Sequence, residues 1–443
     1  MLISESAKTI KLAWPIIIGQ LSQIALGVID SVMVGDLGAQ HLAAVSVSVS
    51  VFSVLLVFGL GISFAISPLT AIAQGEFNVQ KINDVMRSGF WTLTGVGIAL
   101  ALVTYISADL IPYFKQDPEV AALAGPYIQI LSYSMLPILV YQHFKQFSEG
   151  LQIMWPPLLV GLSMIPLNIF GNWLLIYGNW GFPEMGLNGA GWATTLSRFF
   201  ATIALFVYSI NSKRLKSYCE QLFNIYLVKK SMVTRILKLG VPGGFQYIFE
   251  TSAFALSALL IGYIGAKEQA AHQITINLAS ISFMVAVGLS SASAIRIGHA
   301  KGQGNYLLAK RIGYSSFLSS AMFMAICCIA FIVGREYLPS LYINDQEVIK
   351  ISSQLMLIAA LFQVADGIQA VGVGILRGLE DVKRPTLFVL IAYWVIALPL
   401  GALFAFVFHL GVLGIWTALA LGLFISAILL SWRFSKQINR LIA

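Results

Sequence analysis

Twelve apolar runs, separated by short polar stretches, constrain this 443-residue chain more than any other feature. The runs lie near 12–35, 46–73, 88–112, 124–148, 157–178, 189–210, 239–264, 272–298, 311–335, 349–374, 386–408 and 411–434. A helix needs about 20 apolar residues to cross a bilayer core. Backbone in lipid must satisfy its own hydrogen bonds, so only helices and closed barrels span. Barrel strands are about 10 residues long and alternate in polarity, and these runs do neither. Charged residues make up only 10% of the chain, where a soluble protein carries about 25%. The runs therefore predict an all-α integral membrane protein with twelve transmembrane helices.

The first run starts near Leu12, after Lys8 and Lys11, with no small-residue cleavage site behind it; it reads as a span rather than a cleavable signal. Loops assigned alternately to two sides give the side holding both termini 22 of the 27 Lys and Arg residues. The other side receives Lys115, Lys267, Arg335 and Lys350, and Arg198 lies inside a span. By the positive-inside rule this places both termini in the cytoplasm. The net charge of +8 is thereby an orientation signal, and no nucleic-acid partner is expected. Cys219, Cys327 and Cys328 show no disulfide or metal spacing.

An offset of 227 residues lays the chain on itself: Lys11–Pro15 (KLAWP) meets Lys238–Pro242 (KLGVP), Gly61 meets Gly288, and Asn78 meets Asn305. The register then drifts by one, and Gly150 meets Gly378. This predicts two six-helix lobes, 1–210 and 236–443, joined by a basic cytoplasmic linker at 211–235. An even number of spans per lobe makes the repeats parallel. Gly and Ala dominate the shared positions, as close helix packing in lipid requires.

Three acids fall inside spans and away from their ends: Asp30 in the first, Glu250 in the seventh and Asp366 in the tenth. An ionisable group at mid-bilayer costs roughly 3 kcal/mol or more, and a short acid cannot snorkel out. Each is expected to face a cavity or the bundle interior. Carboxyl groups in such places carry protons, or hold a hard cation such as Na⁺ at oxygen ligands; hydrogen bonding that merely holds the bundle is the alternative. Asn168 and Asn172, spaced i, i+4, share a face of the fifth span and can join Asp30 and Thr194 around a cation. Arg198 can pair with an acid or contact substrate. Phe249 and Phe362, near the carboxylates, can receive a cationic guest by cation–π attraction. His272 and Gln273 read as packing and capping residues. Pro166 and Pro399 suit kinks. No Walker-type GxxxxGK[ST], HExxH or paired-Asp motif is present, so no enzyme activity is expected, and energy would come from an ion gradient or a partner.

The segments VIDSVMVG, PLNIFGNWLLIYG, GGFQYIFETSAF, AAHQITIN, IRIGHAKGQG and ADGIQAVGVGILRGLED together resemble the MATE (multidrug and toxic compound extrusion) transporters of the NorM-type bacterial branch, over about residues 8–436. The resemblance implies a V-shaped pair of lobes in a bacterial inner membrane, a monomer, and antiport of organic cations against Na⁺ or H⁺ with no other cofactor. It assigns Glu250 and Asp366 to the cation site of the carboxyl lobe, with Na⁺ as a possible occupant, and Asp30 to coupling in the amino lobe. Asn168, Asn172 and Thr194 match the polar neighbours of that acid, and Gln273 joins the secondary contacts. Phe362 stands where some members carry Tyr, which removes a potential oxygen ligand. Arg198 is a charge the family pattern does not anticipate. A flippase for lipid-linked saccharides or other anionic lipids is the competing transporter reading; it would favour a basic cavity.

Overall fold

The computed structural model describes residues 2–114 and 117–443; Lys115 falls outside the described residues. Among the described residues, twelve helical stretches are long and apolar enough to cross a membrane. They are α1 (Leu2–Gly35), α2 (Ala39–Gly75), α3 (Val79–Ile111), α4 (Pro118–Gly150), α5 (Trp155–Ile176) and α6 (Leu187–Asn211), followed by α7 (Lys230–Gly262), α8 (Ala266–Gly302), α9 (Tyr306–Val333), α10 (Gln346–Gly378), α11 (Lys383–Val407) and α12 (Gly411–Ile442). Several exceed their apolar runs by one to three turns, because polar helix ends extend beyond the hydrocarbon. α1, for instance, begins ten residues before the run that starts near Leu12.

Local chemistry repeats with the sequence. Asn78 caps α3 by accepting the Lys81 N–H at 2.9 Å, and its counterpart Asn305 caps α9 through the Leu308 N–H at 2.9 Å. Asp117 and Asp345 cap α4 and α10 in the same way. Such side chains satisfy amides that the helix leaves without partners. Left-handed residues recur as well: Phe77 (φ 53°) corresponds to Gly304 (φ 70°), and Gln152 (φ 62°) to Glu380 (φ 65°).

The chain packs as two compact units, residues 18–244, and residues 1–17 together with 245–443. α1 changes unit after Ile17 and α7 after Gly244, again at the 227-residue offset. Pro15 and Pro242 lie two residues before those breaks, where a missing N–H loosens the helical ladder. Within the second unit α10 packs against α8, α9 and α12. Small residues permit this: a Cβ on Gly378 would stand 2.7 Å from the Ala294 carbonyl oxygen. Large apolar side chains such as Ile98, Leu102, Leu361 and Ile428 point outward and are exposed, as lipid-facing positions should be. Helices in lipid gain little by hiding apolar surface from one another, so close packing around small residues carries their association.

The 211–235 segment is docked rather than loose. The Arg87 guanidinium donates to the carbonyls of Gln221 (2.9 Å) and Leu227 (3.2 Å) and to Gln221 Oε1 (3.2 Å). Trp91 Nε1 donates to the Leu222 carbonyl at 3.2 Å, and Lys229 pairs with Asp84 at 2.7 Å.

Candidate functional site

In the unit formed by residues 18–244, α1, α5 and α6 bring four polar side chains together. Asn172 Nδ2 donates to Asp30 Oδ1 at 2.7 Å, and Thr194 Oγ1 donates to Asp30 Oδ2 at 3.0 Å. Asn168 Nδ2 donates to Thr194 Oγ1 at 3.3 Å, while its Oδ1 accepts from Asn172 Nδ2 at 3.2 Å. Asn168 and Asn172 are fully buried, and Asn172 Oδ1 has no hydrogen-bond partner among the described residues. The i, i+4 spacing read from the sequence does place both amides on one face. Their nitrogens, not their oxygens, turn toward Asp30 and its Thr194 partner, whose oxygens accept.

Asp30, Thr194 and Arg198 all line a cavity of about 560 Å³, together with Phe52 and Tyr127. Arg198 lies one turn beyond Thr194 on α6. One Nη1 donates to Ser134 Oγ at 2.6 Å, and the guanidinium sits 5.1 Å from the centroid of the Phe52 ring. It makes no ion pair with Asp30.

In the other unit, Glu250 of α7 and Asp366 of α10 line a single cavity of about 250 Å³ with Tyr247, Thr251, Phe254, Ser280, Phe283 and Phe362. Asp366 is buried, and neither acid has an ion-pair partner among the described residues. Glu250 Oε1 accepts from Gln369 Nε2 at 3.1 Å. Gln369 is itself fixed by Tyr393: Nε2 donates to the phenol oxygen at 3.0 Å, and the phenol donates back to Oε1 at 3.2 Å. Tyr393 belongs to a π-helical turn, Ile391–Ala397, just before Pro399 in α11. The proline cannot donate within the ladder, which suits a local widening there. The next residue, Trp394, donates to the Phe249 carbonyl at 3.0 Å, so this turn is tied to α7 beside Glu250.

Phe362 lines the cavity edge and stacks on Trp416, with ring centroids 5.9 Å apart. Phe249 is outside the cavity lining and stacks on Phe245; Phe254 and Phe283 present the rings there instead. Gln273 is exposed, one turn beyond the cavity-lining Ile276 on α8, and donates to Asn277 at 3.1 Å. His272 is buried and accepts from Trp416 Nε1 at 3.1 Å, a packing role. Sequence reasoning missed Gln369 although it lies one turn from Asp366. Tyr393 carries no signal at all, because its part depends on how α11 packs. Among the described residues no three His, Cys, Asp or Glu side chains gather as a metal cluster.

The family described as MatE matches residues 15–174 and 242–403, so each stretch starts on one of the two prolines before the unit breaks. A probable multidrug resistance protein NorM of Brucella suis is 33% identical, across 98% of this chain and 93% of its own length. The multidrug resistance protein NorM of Photobacterium profundum is 32% identical, across 97% and 95%. Among solved structures, a MATE protein in its bent conformation aligns with a TM-score of 0.90 at 18% identity, covering 99% of this chain and 97% of that one. The eukaryotic MATE transporter AtDTX14 aligns at 0.88 with 22% identity, covering 99% and 98%. Twelve membrane-length helices in two related halves, acids inside the spans and this kinship together make the chain a member of the MATE family, of the NorM kind, and a transporter rather than an enzyme.

Proposed function

We propose that this protein is a secondary antiporter that exports amphipathic organic cations in exchange for Na⁺ or H⁺, from a bacterial inner membrane with both termini in the cytoplasm. The observation that carries the reading is the carboxyl-unit cavity, where Glu250 and Asp366 stand without a cationic partner among aromatic rings. Two acids in a low-dielectric setting are stable only when protonated or when they share a cation. A cavity of about 250 Å³ suits an ion and its waters better than a large drug; the 560 Å³ cavity around Asp30 has room for an organic guest. The coupling ion occupies the acids in one state of the carrier and the drug is bound in the other. Net export requires that each ligand prefer its own state, since equal affinity for both would shift nothing. The names of the relatives, multidrug resistance proteins, support drugs as the cargo. Partnerless acids favour a cation over the anionic headgroup that a lipid flippase would carry.

The test is efflux of a fluorescent organic cation from proteoliposomes under separately imposed Na⁺ and H⁺ gradients. Glu250→Gln and Asp366→Asn should each abolish gradient-driven transport, and Asp30→Asn should impair it. Transport by the Glu250→Gln, Asp366→Asn double variant at the parent rate would sink the reading, and would send the search to lipid-linked substrates.

A further inference from the structure

We propose that the 211–235 strap is a lipid-binding element. Its Phe223–Leu227 tip inserts at the surface of the adjoining leaflet, and Lys213, Arg214 and Lys216 hold the phosphates of anionic phospholipids there. This goes beyond the antiport reading and does not depend on it.

The basic residues alone carry no such inference, because a positive loop is what topology demands. The apolar ones do. The strap has two sides: Leu215, Cys219 and Leu222 are buried against the unit, and Arg87 and Trp91 hold the backbone there. Phe223, Ile225, Tyr226 and Leu227 are exposed instead, Tyr226 by 95%. Four large apolar side chains within five residues, outside any span, are a patch that calls for a cover.

Depth identifies the cover. The Phe223 ring stands 5.7 Å from that of Phe90 on α3 and 5.9 Å from that of Phe206 on α6. The apolar run of α3 begins near 88 and that of α6 ends near 210. Phe90 and Phe206 therefore lie within about 3–6 Å of the hydrocarbon edge. Trp91, a residue type favoured at that edge, donates to the Leu222 carbonyl at 3.2 Å. The patch thus starts at the height where acyl chains give way to headgroups.

Lys213, Arg214 and Lys216 follow closely on the end of the α6 run. All three are exposed and have no ion-pair partner among the described residues, whereas Lys229 is matched by Asp84. Glu220 is the single acid between 211 and 230. Free cations beside an apolar insert are the combination that binds an anionic leaflet. A soluble phosphate would satisfy the cations and leave the apolar side chains uncovered.

The experiment uses the full chain with a ring-fluorinated tyrosine at position 226. It is placed in nanodiscs of phosphatidylcholine, and in nanodiscs about one-third phosphatidylglycerol. Fluorine relaxation by dissolved oxygen, which concentrates in lipid, is compared with relaxation by a nickel chelate, which stays in water. Oxygen should dominate with phosphatidylglycerol present, and the inserted fraction should be smaller without it. Lys213→Gln, Arg214→Gln and Lys216→Gln together should lower the ratio of inserted to free strap about a hundredfold, at roughly fivefold per charge. Ile225→Ser with Leu227→Ser should open position 226 to nickel in both bilayers. Parent-like melting of each variant shows that the fold is intact. Nickel access in both bilayers for the parent would overturn the proposal and leave the patch to a protein partner. Insertion indifferent to phosphatidylglycerol and to the triple change would overturn the headgroup contact. Release of the strap by soluble glycerol phosphate would overturn the lipid assignment in favour of a small anion.

Discussion

Two glycines at matching positions should respond alike to the smallest possible substitution. Gly150 ends α4 and Gly378 ends α10. A Cβ on Gly150 would lie 2.7 Å from the Ser67 carbonyl oxygen and 2.6 Å from Thr70 Cβ, and one on Gly378 would lie 2.7 Å from the Ala294 carbonyl oxygen. Ser67 and Ala294 are repeat counterparts, so the same close approach is built twice. A carbon–oxygen contact relaxes at about 3.3 Å, which asks each helix pair to part by roughly 0.6 Å. The obstacle is backbone, which cannot rotate aside. Overpacking of this kind costs about 1–3 kcal/mol, and the better helix propensity of Ala returns up to about 1 kcal/mol. Taking the middle of the first range, the net loss is about 1 kcal/mol, or a fall in Tm of roughly 2–4 °C for a unit of this size. Gly95, mid-way along α3 with nothing within 4 Å of a Cβ, is the control: Gly95→Ala should raise Tm by about 1–4 °C. Fluorescence-monitored melting of the purified proteins in one detergent reads all three. Melting of Gly150→Ala or Gly378→Ala at or above the parent, or a drop in Gly95→Ala equal to theirs, would refute the packing argument.

Gln369→Leu removes the donor to Glu250 and should raise the half-saturating coupling-ion concentration about tenfold or more. Tyr393→Phe, which releases the Gln369 amide, should move it in the same direction by less, and unchanged ion titration curves would show that this network does not hold the carboxylate. Arg87→Ala breaks three hydrogen bonds to the linker; tryptic cleavage within 213–230 should accelerate at least about tenfold, and cleavage at the parent rate would mean that the strap is held elsewhere. Asp345 accepts the N–H groups of Glu347 (2.8 Å) and Val348 (3.3 Å), which hold its carboxyl below the usual 3.8. A group lowered in this way contributes stability that is complete above the unfolded value and fades as pH falls through the folded one. Melting of Asp345→Asn and parent should therefore differ at pH 7 and converge below about pH 4, and a gap that widens in acid would contradict the sign.

Much of this protein is legible without coordinates, for a physical reason. Lipid leaves the backbone only helices or closed barrels, and runs too long and too uniformly apolar for barrel strands must be helices, so twelve runs mean twelve spans; the price of a buried carboxylate makes Asp30, Glu250 and Asp366 conspicuous. The i, i+4 rule was enough to set Asn168 beside Asn172, and the 227-residue echo aligned Asn78 with Asn305, which the structure shows to be paired caps. Tertiary structure decided the rest. Helical periodicity says which side chains share a face but not which face meets which helix. Only packing could put Tyr393 behind Gln369, move Phe249 out of the acid cavity while Phe254 and Phe283 entered it, and seat Arg198 in the cavity of Asp30 without pairing the two. The change of unit after Ile17 and Gly244 belongs to the same class. Composition is continuous along α1 and α7, and a helix shows where it changes partners only once its neighbours are in place.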